Sequence, residues 1–125
     1  MSIETIVPDS MRRAYDLGHY APAARANGFV FLSGVIGRGS TVEEEFRNAW
    51  ETVAAVLAEA GAGLADIVDS TLYIVDIAAH AAAMAKVKDE FIHAPYPPST
   101  WIGVSALIRS AAHAEIKVVA RVPSP

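Results

Sequence analysis

The chain has 125 residues, which fits one domain, residues 1–125, large enough to bury a core without covalent help. It has no cysteine, so disulfides, zinc-thiolate sites and thiol nucleophiles are excluded. A net charge of −4 without a basic stripe argues against a nucleic-acid partner, and no apolar run has the length or purity of a membrane span.

Residues 1–24 read as irregular, punctuated by Pro8 and Pro22, with a short strand expected at 12–15. Glu4 and the lack of a basic-then-apolar leader pattern point to a cytoplasmic protein. Residues 29–33 (Phe-Val-Phe-Leu-Ser) form a β-rich apolar run that stops at Gly34, and 37–40 is a loop. The spacing predicts a helix over 41–60. Ser40 and Thr41 can each cap it, with Glu43 and Glu44 at capping-box distance. Val42, Phe46, Trp50, Val53, Leu57 and Ala60 then recur every three or four residues, and Gly61 is placed to stop the helix. A long strand follows at 67–77, rich in Val, Ile, Thr and Tyr. A second helix covers 78–92, with Met84, Val87 and Phe91 on one face, and Pro95, Pro97 and Pro98 end it. Strands at 100–107 and 114–122 complete the chain. In the last, Ile116, Val118, Ala120 and Val122 point one way, while Glu115, Lys117, Val119 and Arg121 point the other.

This order describes an α+β domain: a mixed β-sheet with two helices packed on one face. The opposite sheet face then has no cover within the chain and must meet solvent or another subunit. Mean hydropathy is +0.31 with only 19% charged residues, and a subunit interface is the simplest destination for that apolar surplus. The alternative is an alanine-rich composition that raises the index without burying anything.

No phosphate-binding loop, dinucleotide fingerprint, metal-spaced histidine pair or nucleophile elbow is present. His19, His80, His93 and His113 are scattered and read as surface or internally satisfied histidines. Glu115 is more informative, being an acid within a strongly apolar strand. Carboxyl groups withdrawn from water hold their protons more tightly, which suits general acid–base work. The competing reading puts Glu115 on a solvated face, paired with Lys117 or Arg121. Ser33 and Gly34 close an apolar strand where backbone and hydroxyl can face a ligand, although such a serine is more often part of a turn. Tyr96-Pro97-Pro98-Ser99-Thr100-Trp101 combines a proline-fixed shape with hydroxyls and flat apolar walls. It reads equally as a pocket lining or as a rigid connection.

Several segments together resemble one family. Gly18-His19-Tyr20-Ala21-Pro22-Ala23-Ala24-Arg25 resembles the Gly-Pro-Tyr-Ser-x-Ala segment of the Rid (YjgF/RidA) family. Phe29-Val30-Phe31-Leu32-Ser33-Gly34 is similar to its strand ending in Ser-Gly, and Ser70-Thr71-Leu72-Tyr73-Ile74-Val75-Asp76 to its strand ending in Asp. Ala114-Glu115-Ile116-Lys117-Val118-Val119-Ala120 resembles its C-terminal strand, with an ending like that of the YjgH-like branch. The likeness runs in order over nearly the whole chain; each motif is weak alone and the set is fairly specific.

The resemblance implies a chorismate-mutase-like fold and a homotrimer with ligand pockets between adjacent subunits. It implies hydrolysis of reactive enamines or imines to ketoacids and ammonia, with no cofactor and no metal. In well-studied members an arginine in a Pro-Ala-Arg-Ser/Thr segment holds the substrate carboxylate, and a glutamate and a backbone carbonyl place or activate water. Tyr20, Ser33, Gly34 and Glu115 stand at matching positions. The arginine does not: Pro97-Pro98-Ser99-Thr100 occupies its segment, so Ser99 replaces it, and Met84 stands near the family's helix asparagine. A serine hydroxyl cannot supply the two-pronged charged contact of a guanidinium. Arg38 and Arg109, both in loops, are the candidate substitutes, with solvated loop charges as the plainer reading of each. Tyr96 and Trp101 would suit a larger, flat ligand. The function expected is a Rid-type hydrolase, or deaminase, of an imine, enamine or related labile C–N compound. Glu115 is its catalytic residue, and Tyr20, Ser33, Gly34, Tyr96, Ser99, Thr100 and Trp101 contact the small-molecule substrate. The alternative is a non-catalytic small-molecule-binding or regulatory trimer. Nuclease activity, at times attached to this family by name, does not fit an acidic chain.

Overall fold

The computed structural model describes residues 2–123; Met1, Ser124 and Pro125, the ends of the expected domain, lie outside the described residues. The best-specified element is α2, Val42–Glu59. Thr41 Oγ1 accepts the Glu44 N–H at 3.1 Å, and the Glu44 carboxylate reaches back to the Ser40 N–H and hydroxyl, at 3.0 and 2.7 Å. The box therefore closes one residue further back than its usual form. At the other end Gly61 takes φ +84°, a left-handed conformation costly for residues with a side chain. Ala62 N–H then bonds to the Leu57 carbonyl and Gly61 N–H to that of Ala58, a Schellman stop. Between these ends Phe46, Trp50, Val53 and Leu57 are buried, as the spacing predicts, together with Ala49 and Val56, while Val42 is only partly buried.

Before α2 come β1 (Glu4–Ile6), a 3₁₀ turn, α1 (Arg12–Gly18), β2 (Ala23–Ala26) and β3 (Phe29–Leu32). After it come a second 3₁₀ turn, β4 (Ile67–Val75), α3 (Ile77–Lys88), β5 (Ser99–Val104) and β6 (Ala114–Arg121). The six strands form one sheet in the order β1-β2-β3-β6-β4-β5. Only β4 and β5 pair in parallel, because α3 carries the chain back across the sheet between them. Helices α2 and α3 lie side by side, α2 over β3 and β6, α3 over β4 and β5. Ile116, Val118 and Ala120 of β6 and Leu72 and Ile74 of β4 face them and are buried. Among the described residues no helix covers the other face of the sheet. Phe31 pairs with Val119, and Tyr73 lies between Glu115 and Ile102. Phe29, Phe31 and Ile102 remain 40%, 46% and 41% exposed there.

Two expectations require correction. The segment at 12–15 is not a strand but the start of α1, where Arg12 pairs with Asp16 one turn on and His19 ends the helix in the left-handed region. No α1 residue is buried, so the helix leaves no apolar period to read. The N-terminal region is also not irregular, since β1 and β2 extend the sheet. Alanine-rich β2 has poor strand propensity and is held by its ladders. Arg25 reinforces it by bonding to Glu4 on β1 and to the Ala60 carbonyl at the end of α2. Elsewhere the boundaries shift by a few residues. Asp76, with φ 49°, separates β4 from α3, which ends at Lys88 before a run of turns to Ile92.

Candidate active site

The site begins with an irregularity at the end of β3. Phe31 is opposite Val119, but Val35 is opposite Ile116, so one extra residue is accommodated around Ser33–Gly34. This bulge turns the chain toward Glu115 on the uncovered face. A Cβ on Gly34 would lie 1.9 Å from Glu115 Oε2 and 2.6 Å from its Cδ. The carboxylate thus rests directly on the Gly34 backbone, an approach no other residue type permits.

Ser33 organises the neighbouring strand. Its N–H donates to the Pro22 carbonyl at 3.0 Å and its hydroxyl to the Ala21 carbonyl at 2.6 Å. These bonds hold the segment that carries Tyr20, whose ring packs against Gly18 and is half-exposed. The Ser33 hydroxyl proton is therefore already committed to a backbone carbonyl. Tyr20, Ser33, Gly34 and Glu115 line one open cleft of about 710 Å³, together with Gly18, Ile36, Arg38, Ile108 and Arg109. A smaller cavity of about 130 Å³ shares Tyr20 and 33–34 and runs toward Met11, Ala14 and Val56.

Glu115 is half-buried and makes no hydrogen bond or ion pair among the described residues. The solvated-pair reading fails, because its proposed partners are engaged elsewhere. Lys117 Nζ donates to the Leu32 carbonyl at 2.7 Å, and Arg121 Nε lies 3.2 Å from Asp66 Oδ1. The two loop arginines join Glu115 at the cleft. Arg109 donates to the Gly37 carbonyl, and the Arg38 N–H is held by Asn48 Oδ1 at 2.9 Å.

The other four candidates lie elsewhere in the chain. Through Tyr73, the β5 neighbour of Glu115 is Ile102, and Ser99 is three residues further along that edge strand. The Trp101 indole N–H donates to Ser99 Oγ at 2.9 Å on the helix side of the sheet, and Thr100 pairs with Thr71 on the uncovered side. Tyr96 is 70% exposed, with Lys88 Nζ 6.0 Å from its ring centroid. Within this chain none of the four lines the Glu115 cleft. Met84 is buried in the core.

The histidines divide as expected: His19 and His93 are exposed, and His80 and His113 have partners. One arrangement was missed. Glu45, buried on α2, accepts the His113 N–H at 2.8 Å and lies 2.8 Å from its Nδ1, and it accepts the Ala114 N–H at 3.3 Å. This clamps the loop that carries Ile108 and Arg109 to the start of α2. The signal was available, since Glu45 falls on the apolar stripe between Val42 and Ala49. Among the described residues no three His, Cys, Asp or Glu side chains form a group able to hold a metal ion.

Comparison with known proteins agrees with this fold. The family model described as "Endoribonuclease L-PSP" matches residues 11–122. The RutC family protein YjgH of Escherichia coli (strain K12) is 34% identical over 125 residues, covering 94% of each chain. A 2-iminobutanoate/2-iminopropanoate deaminase of Dermatophagoides farinae is 27% identical over 103 residues, 76% of this chain and 80% of that one. The solved structure of protein YJGH superposes with a TM-score of 0.90 at 29% identity over the full length of both chains. A match over nearly the whole chain places this protein in the Endoribonuclease L-PSP family, the YjgF/Rid family, with a relative in the YjgH-like branch.

Proposed function

We propose that the protein hydrolyses a reactive imine or enamine, with Glu115 as the acid–base residue. The observation that carries this reading is a half-buried carboxylate without an ionic partner, seated on Gly34 and facing a cleft shared with Tyr20. Glu115 would take a proton from an ordered water as the water oxygen bonds to the C=N carbon. Returning that proton to nitrogen gives the carbinolamine (an enamine first takes a proton at carbon to become the imine). Moving the hydroxyl proton to the amino group through Glu115 lets the C–N bond break, giving a carbonyl compound and ammonia. No metal or redox cofactor enters this balance. The relative named as an iminobutanoate/iminopropanoate deaminase supports the reaction class. Because Ser99 lacks a guanidinium and bonds to Trp101, small amino-acid-derived enamines held at that position are not the preferred substrates.

The proposal includes a cytoplasmic homotrimer. The uncovered sheet face, with Phe29, Phe31 and Ile102, supplies the apolar contact area. A neighbouring protomer would then close the open cleft, bringing Tyr96, Ser99, Thr100 and Trp101 to it from the other side.

The test is ammonia release from a panel of imines generated in situ by an amino-acid oxidase. Glu115→Gln should lower kcat by roughly 100-fold or more. Unchanged turnover in Glu115→Gln would sink the mechanism. Ser99 in place of the family arginine favours a second reading, a binding or regulatory trimer. Ligand binding without ammonia release from any imine would select it.

A further inference from the structure

The cleft contains a charge pattern that the hydrolysis reading does not use. The chain has ten Lys and Arg against fourteen Asp and Glu, so acids are plentiful. Six of the cations pair with one: Arg12, Arg25, Arg47, Lys86, Lys88 and Arg121. Among the described residues Arg13, Arg38, Arg109 and Lys117 do not, and two of these four, Arg38 and Arg109, line the same cleft. Neither is within ion-pair distance of Glu115, the acid that lines it with them.

Both arginines have fixed roots. Arg109 donates to the Gly37 carbonyl, the peptide group that joins Gly37 to Arg38, so the guanidinium of Arg109 is held at the root of the Arg38 side chain. Asn48 on α2 holds the Arg38 N–H, and Glu45 clamps the far end of the Arg109 loop. A guanidinium has five donors in a planar fork, and one bond to Gly37 leaves Arg109 with others for a ligand. Two such groups beside low-dielectric walls favour an anion. Glu115, close by, disfavours a dianion such as phosphate and favours a ligand that turns its nitrogen, not its charge, toward the bulge. Tyr20, Ile36 and Ile108 leave room for an apolar substituent.

We propose that Arg38 and Arg109 anchor the acid group of the ligand, so that this cleft takes a carboxylate with an apolar substituent and a nitrogen-bearing carbon facing Glu115. The inference rests on the hydrolytic reading for the role of the nitrogen, but the anchor itself is a statement about binding. It places the charged contact on the loop side of the cleft, within the protomer that carries Glu115, and not at position 99.

Titration calorimetry on the full chain tests it with phenylpyruvate, its counterpart without the carboxylate (phenylacetone), and inorganic phosphate. Phenylpyruvate should bind at least tenfold more tightly than phenylacetone or phosphate. Arg38→Gln should remove that advantage while leaving phenylacetone unchanged. The Arg38 side chain makes no hydrogen bond among the described residues, so its loss spares the fold. Arg13→Gln, which removes the same charge from exposed α1, should leave phenylpyruvate binding unaltered, and Arg109→Lys should weaken it less than Arg109→Gln. Absence of saturable phenylpyruvate binding, equal losses in Arg38→Gln and Arg13→Gln, or phosphate binding as tightly as phenylpyruvate would each overturn the proposal. The same titrations on Glu115→Gln separate the two readings. If that variant retains full ammonia release while binding still depends on Arg38, the hydrolytic mechanism falls and the anchor stands.

Discussion

At the scale of single residues, the Glu115–Gly34 contact is the most constrained feature of the site. A methyl group at position 34 meets the end of a flexible side chain and not backbone, so the protein can fold around it by displacing the carboxylate. Gly34→Ala should therefore cost less than about 1 kcal/mol of stability. Because the reacting group is moved by more than an ångström, activity on imines should fall roughly 100-fold. A melting curve measured beside the turnover assay separates the two effects; a fall in both together would mean that Gly34 serves the fold and not the site. The chemical candidates Glu115 and Ser33 were legible as residue types in suggestive places, and Tyr20 only through the family resemblance. That Ser33 donates to Ala21, and that Lys117 and Arg121 leave Glu115 unpaired, was not legible. Those facts depend on a one-residue bulge, and no local pattern encodes a change of register.

Among the elements, α2 was readable from end to end because its cap, apolar period and glycine stop are all local signals. Its contacts with the rest of the protein were not. Removing the buried Glu45 carboxylate strands the His113 and Ala114 N–H groups. Glu45→Ala should cost about 3 kcal/mol, read from urea denaturation, with Glu45→Gln costing less because an amide oxygen can still accept. A change below about 1 kcal/mol would mean that water replaces the carboxylate without penalty. Arg47 ties α2 to the turns after α3 through two bonds to Glu90, at 2.7 and 2.6 Å. The guanidinium holds the Glu90 carboxyl below its ordinary value of 4.5. The folded state therefore binds this proton less readily than the unfolded chain. The contribution is fully present above pH 4.5 and is lost as pH falls through the lower folded value. The denaturation midpoint of Glu90→Gln should lie below that of the parent at pH 7 and converge with it in acid. The gap should also narrow in high salt, since the pair is exposed. A gap that persisted at low pH would assign the effect to packing.

For the whole molecule, the proposed trimer would make the uncovered sheet face govern both association and the site. In the proposed trimer, Phe31→Asp places a charge where each protomer would otherwise gain about 2 kcal/mol of apolar burial. The variant should elute as a monomer in size-exclusion chromatography with light scattering, and imine turnover should fall with it. A parent protein that is monomeric at working concentration would refute the association outright. The α+β class, the two long helices, strands β3, β4, β5 and β6 and the surplus apolar face all followed from composition and periodicity, because burial on one face leaves a repeat in the sequence whatever its partner is. The short β1, β2 and α1 left no such repeat, having few buried side chains and depending on neighbours for their hydrogen bonds. The site was likewise decided in three dimensions. Residues near positions 20, 34, 38, 109 and 115 converge on one cleft, while 96 and 99–101 lie apart from it. Strand order and register set those distances, and both arise from pairings between segments far apart in the chain.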